Sequence, residues 1–222
     1  MVSQLQPWLK NFGIEISRNQ LQLLKAYLDL LLLWNEKINL IGTTQPDRIV
    51  EELIFDSLLP AKYLPTEGSV LDIGSGGGIP AIPLKILIPT LEFLLLEPRR
   101  KKASFLKETI RRLKMERIEL LRIPIEGLPQ GFKADGFDVI IARAVMKPEK
   151  IVEIAIPHLA DHGRVVLFLG QIGNRKDKGR KRNLNYLKTL GRSKGYKEEK
   201  LVCYQLPRKK TERAILILKR EG

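Results

Sequence analysis

The spacing of hydrophobic positions changes character near residue 69. Before it, Leu21, Leu24, Leu28, Leu31 and Leu32 recur at helical spacing, with Gln22, Lys25 and Asp29 between them. Ser17 is well placed to cap that helix. Trp34 to Leu40 breaks the period. A further helix is expected from about Asp47 to Leu59, with Ile49, Leu53, Ile54 and Leu58 apolar. After residue 69, short apolar runs alternate with helical segments. Strands are expected over 69–73, 91–96, 118–122, 137–141 and 164–168, and helices over about 79–88, 99–114 and 148–159. That alternation argues a parallel sheet with helices on both faces. Two last apolar runs, Leu201–Leu206 and Ala214–Lys219, are separated only by Pro207 to Arg213. The gap is too short for a parallel crossover, so they form an antiparallel pair. The expected fold class is therefore α/β: a seven-stranded, mostly parallel sheet ending in an antiparallel pair. A helical extension over 1–64 precedes a sheet domain over 65–222, with the seam at Thr66-Glu67-Gly68.

The most informative stretch is Val70-Leu71-Asp72-Ile73-Gly74-Ser75-Gly76-Gly77-Gly78-Ile79-Pro80. A buried strand runs into a turn of glycines and then into a helix expected to start at Pro80. Glycines let the backbone approach a nucleotide-like ligand at the end of a strand. Such turns also serve dinucleotide dehydrogenases and phosphate binders. Here the spacing is Gly-x-Gly-x-Gly, no Gly-Lys-Ser/Thr follows, and Asp72 stands two residues before Gly74. Acid plus Gly-x-Gly-x-Gly resembles the first motif of the S-adenosylmethionine (SAM)-dependent methyltransferases with the Rossmann-like fold.

In such a sheet the ligand lies across the strand ends. Strand one contributes Gly74, Gly76 and Gly78. Strand two ends in Glu97, whose carboxylate can accept the hydroxyls of a ribose. Strand three is followed by Pro124-Ile125-Glu126, where a backbone group and an acid could frame an adenine ring. Strand four is followed by Ala142-Arg143-Ala144. An Arg after a buried strand needs a partner. Three are open to Arg143: the cofactor, a nucleic-acid phosphate or an internal carboxylate. Asn35, Asn39, Asp56 and Ser57 lie beside apolar stretches. They are either internal hydrogen-bonding groups or part of a substrate cleft.

Charge adds a partner. The chain has 222 residues, with 39 Lys and Arg against 25 Asp and Glu, a net charge of +14. A domain this basic points to a polyanion, above all nucleic acid. Gln171 to Asn183 holds Arg175, Lys176, Lys178, Arg180, Lys181 and Arg182 against Asp177 alone, and reads as a flexible phosphate-pairing loop. Arg208-Lys209-Lys210 is expected to add to it. The single cysteine, Cys203, excludes an internal disulfide and a cysteine metal cluster. His158 and His162 stand at i and i+4 but close a helix, without the Glu of a metal motif, so no metal is expected. No signal pattern or membrane-length apolar run is seen, which implies a soluble cytoplasmic chain. Nothing in the pattern demands a dimer, and a monomer is expected.

The Asn/Asp-Pro-Pro-Tyr motif of exocyclic-amine methyltransferases is absent after strand four, and Cys203 sits in the terminal hairpin. The acceptor therefore needs neither a polarised amine nor covalent addition. Guanine N7, which carries a free lone pair and no proton, fits. Positioning would then carry catalysis, with no general base.

Trp34-Asn35 with Asn39-Leu40, Asp56-Ser57-Leu58, Leu71 to Pro80 with Ile82-Pro83-Leu84, Lys101-Lys102 with Phe105-Leu106, and Arg143-Ala144 resemble, in order and spacing, the RsmG (GidB) family. The resemblance covers about residue 20 to the C-terminal strand pair. It implies methyl transfer from SAM to N7 of a guanosine in the decoding-region hairpin of 16S ribosomal RNA, on the small ribosomal subunit. Carried over by position, the SAM contacts are Gly74, Ile79, Ile125, Glu126 and Arg143. Glu97 is added from the logic of the fold, and Arg143 and Asn39 are the positioning candidates. Three positions depart from the family pattern: Leu53 stands for a His, Pro98 for a Ser, and Leu169 for the Lys of a Lys-Gly pair. Two other functions share these features, a SAM-dependent enzyme acting on a small molecule and a non-catalytic RNA-binding protein.

Overall fold

The computed structural model describes residues 1–171 and 178–220. The N-terminal extension begins with α1 (Leu5–Lys10) and α2 (Arg18–Asn35). Ser17 caps α2 in a reciprocal box with Gln20, each backbone N–H donating to the other's side chain. The helix expected over Asp47 to Leu59 is broken into α3 (Pro46–Ile49), a π-helical turn (Val50–Phe55), α4 (Asp56–Leu58) and a 3-10 turn (Leu59–Tyr63). The wide turn has a cause in its surroundings. The Glu52 carbonyl accepts from the side chains of Arg143 at 2.7 Å and Arg213 at 2.9 Å. A regular helix would commit that carbonyl internally.

The sheet holds β1 (Ser69–Ile73), β2 (Glu92–Leu96), β3 (Ile118–Leu121), β4 (Phe137–Arg143), β5 (Leu159–Gln171), β6 (Tyr196–Gln205) and β7 (Glu212–Arg220). Their order is β3-β2-β1-β4-β5-β7-β6. The first five are parallel, and β7 runs antiparallel to both β5 and β6. Between the strands lie α5 (Ala81–Leu87), α6 (Arg100–Arg112) and α7 (Pro148–Ala155), close to expectation. Pro80 is the N-cap of α5 and not its first residue.

Four expectations are corrected. First, β5 begins at Leu159, which pairs with Phe137 before an irregularity sets Arg164 opposite Val139. So His158 lies in a 3-10 turn and His162 in a strand. Second, a helix, α8, spans Lys178–Ser193, where the sequence reads as a charged loop up to Asn183. Its apolar spacing, Leu187 and Leu190, is sparse among charges. Residues 172–177, which hold Arg175, Lys176 and Asp177, lie outside the described residues. Third, β6 starts at Tyr196, ahead of the apolar run, because polar residues occupy its open edge. Fourth, the loop carrying Arg208 and Lys209 is docked on the extension, as shown below.

Alternation along the strands divides the core. Val70, Phe93, Leu95, Val139, Ile141, Val166, Ile215 and Ile217 face the extension, α5 and α6. Leu71, Ile73, Leu94, Leu96, Ile140, Leu167, Leu216 and Leu218 face α7 and α8. The extension thus shares one continuous apolar cluster with the sheet, and its Leu24, Tyr27, Leu28 and Leu31 are buried there. Gln20 also donates to the last carbonyls of α5, at Ile86 and Leu87. No described helix is long and apolar enough to cross a membrane.

Candidate active site

Strand order reverses between β1 and β4, where a ligand crevice opens in folds of this kind. A cleft of 360 Å³ lies there. Its floor is Gly74, Ser75, Gly76, Gly77 and Ile79 after β1. One wall is Glu97, Pro98, Arg99 and Lys102 from the end of β2 and the start of α6. Arg143, Ala144 and Val145 come from the end of β4, and Leu40, Ile41 and Leu53 from the extension.

The glycine turn is held by two side chains, Glu97 and Tyr27. Gly76 N–H donates to Glu97 Oε2 at 2.8 Å, while Arg99 N–H donates to Glu97 Oε1 at 2.8 Å. The buried Tyr27 hydroxyl donates to the Gly77 carbonyl at 2.6 Å. Gly76 has φ +57, and a Cβ built there meets only Gly74 O at 3.8 Å and Lys102 Nζ at 3.9 Å. The space beside Gly76 is therefore open cleft, the close backbone approach that glycine permits. Gly78 has φ +78, but its Cβ would lie 2.5 Å from Ile82 Cγ1, so Gly78 serves packing. Asp72 is buried beneath the turn. Burial pushes its carboxyl up to about 7, Glu97 adds to that, and its Oδ2 has no protein partner.

Arg143 lines the cleft and is also paired inside the protein. Its Nη1 lies 2.7 Å from Asp56 Oδ2 and its Nη2 donates to the Glu52 carbonyl. The guanidinium also stacks on Phe168, 5.4 Å from the ring centre. Arg213 on β7 approaches the same Asp56 oxygen at 3.2 Å. The Tyr204 hydroxyl on β6 donates to Asp56 Oδ1. Burial and the Asp56 carboxylate raise that phenol well above its ordinary value. Asp56, 3% exposed, thus gathers the extension, the end of β4 and the terminal strand pair. Of the partners the sequence leaves open for Arg143, the internal carboxylate is present.

The structure sorts the other candidates. Gly74, Gly76, Ile79, Glu97 and Arg143 meet at the cleft. Gly78 is one residue away. Ile125 is in the core, and Glu126 is exposed, 3.9 Å from Lys150; neither lines the cleft. Asn35 is an internal group, accepting from the N–H of Leu40 and Ile41 and donating to the Thr43 carbonyl. It fixes the loop that carries Leu40 and Ile41 into the cleft. Asn39 is exposed on that loop. Leu53 is an apolar lining residue. Sequence reasoning missed Leu40, Ile41, Arg99 and Val145 as lining residues, and Arg213 and Tyr204 as partners of Asp56. No residue pattern links positions so far apart.

The cations also divide. Arg99 and Lys102 line the cleft and join no ion pair among the described residues. Arg208 pairs with Asp47 at 3.1 Å and lies over Trp8, and Lys209 pairs with Glu52. The buried Glu51 accepts from both of their backbone N–H groups. Two of the loop's three cations thus help hold the extension to the strand pair, while Lys210 is exposed and joins no ion pair among the described residues. Among the described residues no three His, Cys, Asp or Glu cluster as a metal site would require.

Comparisons with known proteins agree with this geometry. Among solved structures, a methyltransferase from Pyrococcus furiosus superposes with a TM-score of 0.61 at 21% identity, over 87% of this chain and 98% of that one. A SAM-dependent methyltransferase from Aquifex aeolicus gives 0.58 at 14% identity, over 79% and 94%. These show the Rossmann-like methyltransferase fold. The ribosomal RNA small subunit methyltransferase G of Syntrophotalea carbinolica is 32% identical over 100% of this chain and 99% of its own length. That of a Geobacter species is 35% identical over 79% and 80%. The profile of the GidB family, described as rRNA small subunit methyltransferase G, matches residues 20–205. With residues 20–205 matched by the family profile and its whole length covered by a relative of 32% identity, the chain belongs to the GidB family of SAM-dependent ribosomal RNA methyltransferases.

Proposed function

We propose that this protein transfers the methyl group of SAM to N7 of a guanosine in the decoding-region hairpin of 16S ribosomal RNA. It would act as a cytoplasmic monomer on the small ribosomal subunit. The observation that carries the reading is the open backbone cradle at Gly76, tied to Glu97, in a chain that matches the family over residues 20–205.

The residues present fit SAM. A Cβ at Gly76 would occupy the space its backbone leaves open, and the Glu97 carboxylate ends the neighbouring strand, in reach of a ribose. Bound SAM supplies a methyl group already activated by its sulfonium. The chain's task is to hold acceptor and donor in line and to keep water out. Leu40, Ile41, Leu53 and Val145 give the cleft an apolar side suited to the face of a base. Arg99 and Lys102 line it without an ion pair among the described residues and are available to phosphates. Among the described residues that line the cleft there is no Cys or His to act as nucleophile or base. N7 of guanine requires neither, because its lone pair attacks directly and no proton leaves.

The test is incorporation of label from methyl-labelled SAM into isolated small subunits that lack the modification. Label in 16S RNA is expected. SAM binding without label in any RNA would instead favour a small-molecule acceptor.

A further inference from the structure

The cleft must accept a cation, yet cations outnumber anions among its charged lining residues. Four of its lining residues ionise, Glu97, Arg99, Lys102 and Arg143, and three of these are positive. Arg99 is exposed and screened by water, but Arg143 is only 13% exposed. An unscreened guanidinium repels a sulfonium in the same cleft far more than an exposed one does. The compensating charge stands behind the wall. Asp56 is not a lining residue. Its carboxylate lies 2.7 Å from Arg143 and 3.2 Å from Arg213, and Tyr204 holds its second oxygen. Among the described residues, the other acid paired with either of these guanidiniums, Glu52, is already shared. The Glu52 carboxylate is divided among Arg48, Lys209 and, at 3.6 Å, Arg213.

We propose that Asp56 is a positioning residue for the cofactor: by neutralising and orienting Arg143 from behind, it lets the cleft hold a positively charged sulfonium. The inference rests on the SAM reading and adds to it a residue that touches neither substrate nor cofactor. In this arrangement the terminal strand pair, through Tyr204, keeps the counter-charge in place.

A purely structural role for Asp56 would weaken all ligands alike. A charge role discriminates between SAM and S-adenosylhomocysteine, whose sulfur is neutral. Calorimetric titration of the full-length wild type and of Asp56→Asn with both ligands reads the ratio of the two affinities. Asp56→Asn is expected to shift that ratio against SAM by roughly fivefold. Arg143→Gln removes the guanidinium that lines the cleft while Asp56 stays paired with Arg213, so it is expected to shift the ratio toward SAM, and it tests the idea even if Asp56→Asn folds poorly. Tyr204→Phe keeps every charge and is expected to hold the ratio near the wild-type value. Equal losses for both ligands in Asp56→Asn, or a shift against SAM in Arg143→Gln, would overturn the inference. The wild-type titration reports SAM binding by itself, so failure of the functional reading is seen separately.

Discussion

Arg143 Nη1 lies 2.7 Å from Asp56 Oδ2, joining the end of β4 to the N-terminal extension. The pair is buried, and Asp56 also serves Arg213. Removing the carboxylate altogether leaves two guanidiniums without their shared counter-charge. Asp56→Ala is therefore expected to lose about 3–5 kcal/mol of stability. Chemical denaturation measures it, and a loss near zero would show that the pair holds nothing together.

The glycines of the turn are expected to fail in different ways. At Gly76 a methyl group points into open cleft. Gly76→Ala should fold, losing about 1–2 kcal/mol to its positive φ, and should weaken SAM binding by roughly tenfold. At Gly78 the methyl group meets Ile82. Gly78→Ala should lose about 1–3 kcal/mol more through overpacking. Thermal melts and titrations of the two variants side by side check the contrast. Similar melting losses for both would contradict it.

Asp72 makes stability depend on pH. Its carboxyl is raised from an ordinary 3.8 to about 7 by burial. Between those values the folded state keeps a proton that the unfolded chain has released. Its contribution is thus fully present below the lower value and lost as pH rises through about 7. The full effect is up to about 4 kcal/mol. Asp72→Asn cannot ionise, so the fall in denaturation midpoint between about pH 5 and about pH 8.5 should be smaller in the variant than in the wild type. Equal slopes would place the titration elsewhere.

RNA affinity should separate the two groups of cations. Arg99 and Lys102 line the cleft with no ion pair among the described residues, whereas Arg208 is bound to Asp47 and Trp8. The double variant Arg99→Ala, Lys102→Ala should lower the slope of log affinity against log salt by roughly 2. Arg208→Ala should leave that slope alone and lower stability instead. Filter binding over a salt series distinguishes them, and an unchanged slope in the double variant would move the RNA to another face.

The parallel strands were legible because each is an apolar run ended by Gly, acid or Arg, and the glycine turn placed the cleft. The strand pair at the end followed from the short stretch between Leu206 and Ala214. What the residues hid was long-range. The π-helical turn exists because Arg143 and Arg213 claim the Glu52 carbonyl, a demand made from other strands. Helix α8 was masked by its charges, and the start of β6 by the polar residues of an edge. Asn35 and Asp56 looked alike as polar groups in apolar stretches. Only the fold shows that Asn35 fixes a loop while Asp56 collects two arginines.

The most direct measurement is the identity of the methylated atom. Small subunits from cells lacking this protein would be treated with the protein and SAM, and their 16S RNA examined by nucleoside mass spectrometry and aniline cleavage. The account predicts a single 7-methylguanosine, with strand scission at one site in the decoding-region hairpin. A methyl group on an exocyclic amine, a ribose or a pyrimidine carbon would contradict it, because the account assigns the acceptor whose lone pair attacks directly, with no proton to remove and no covalent addition.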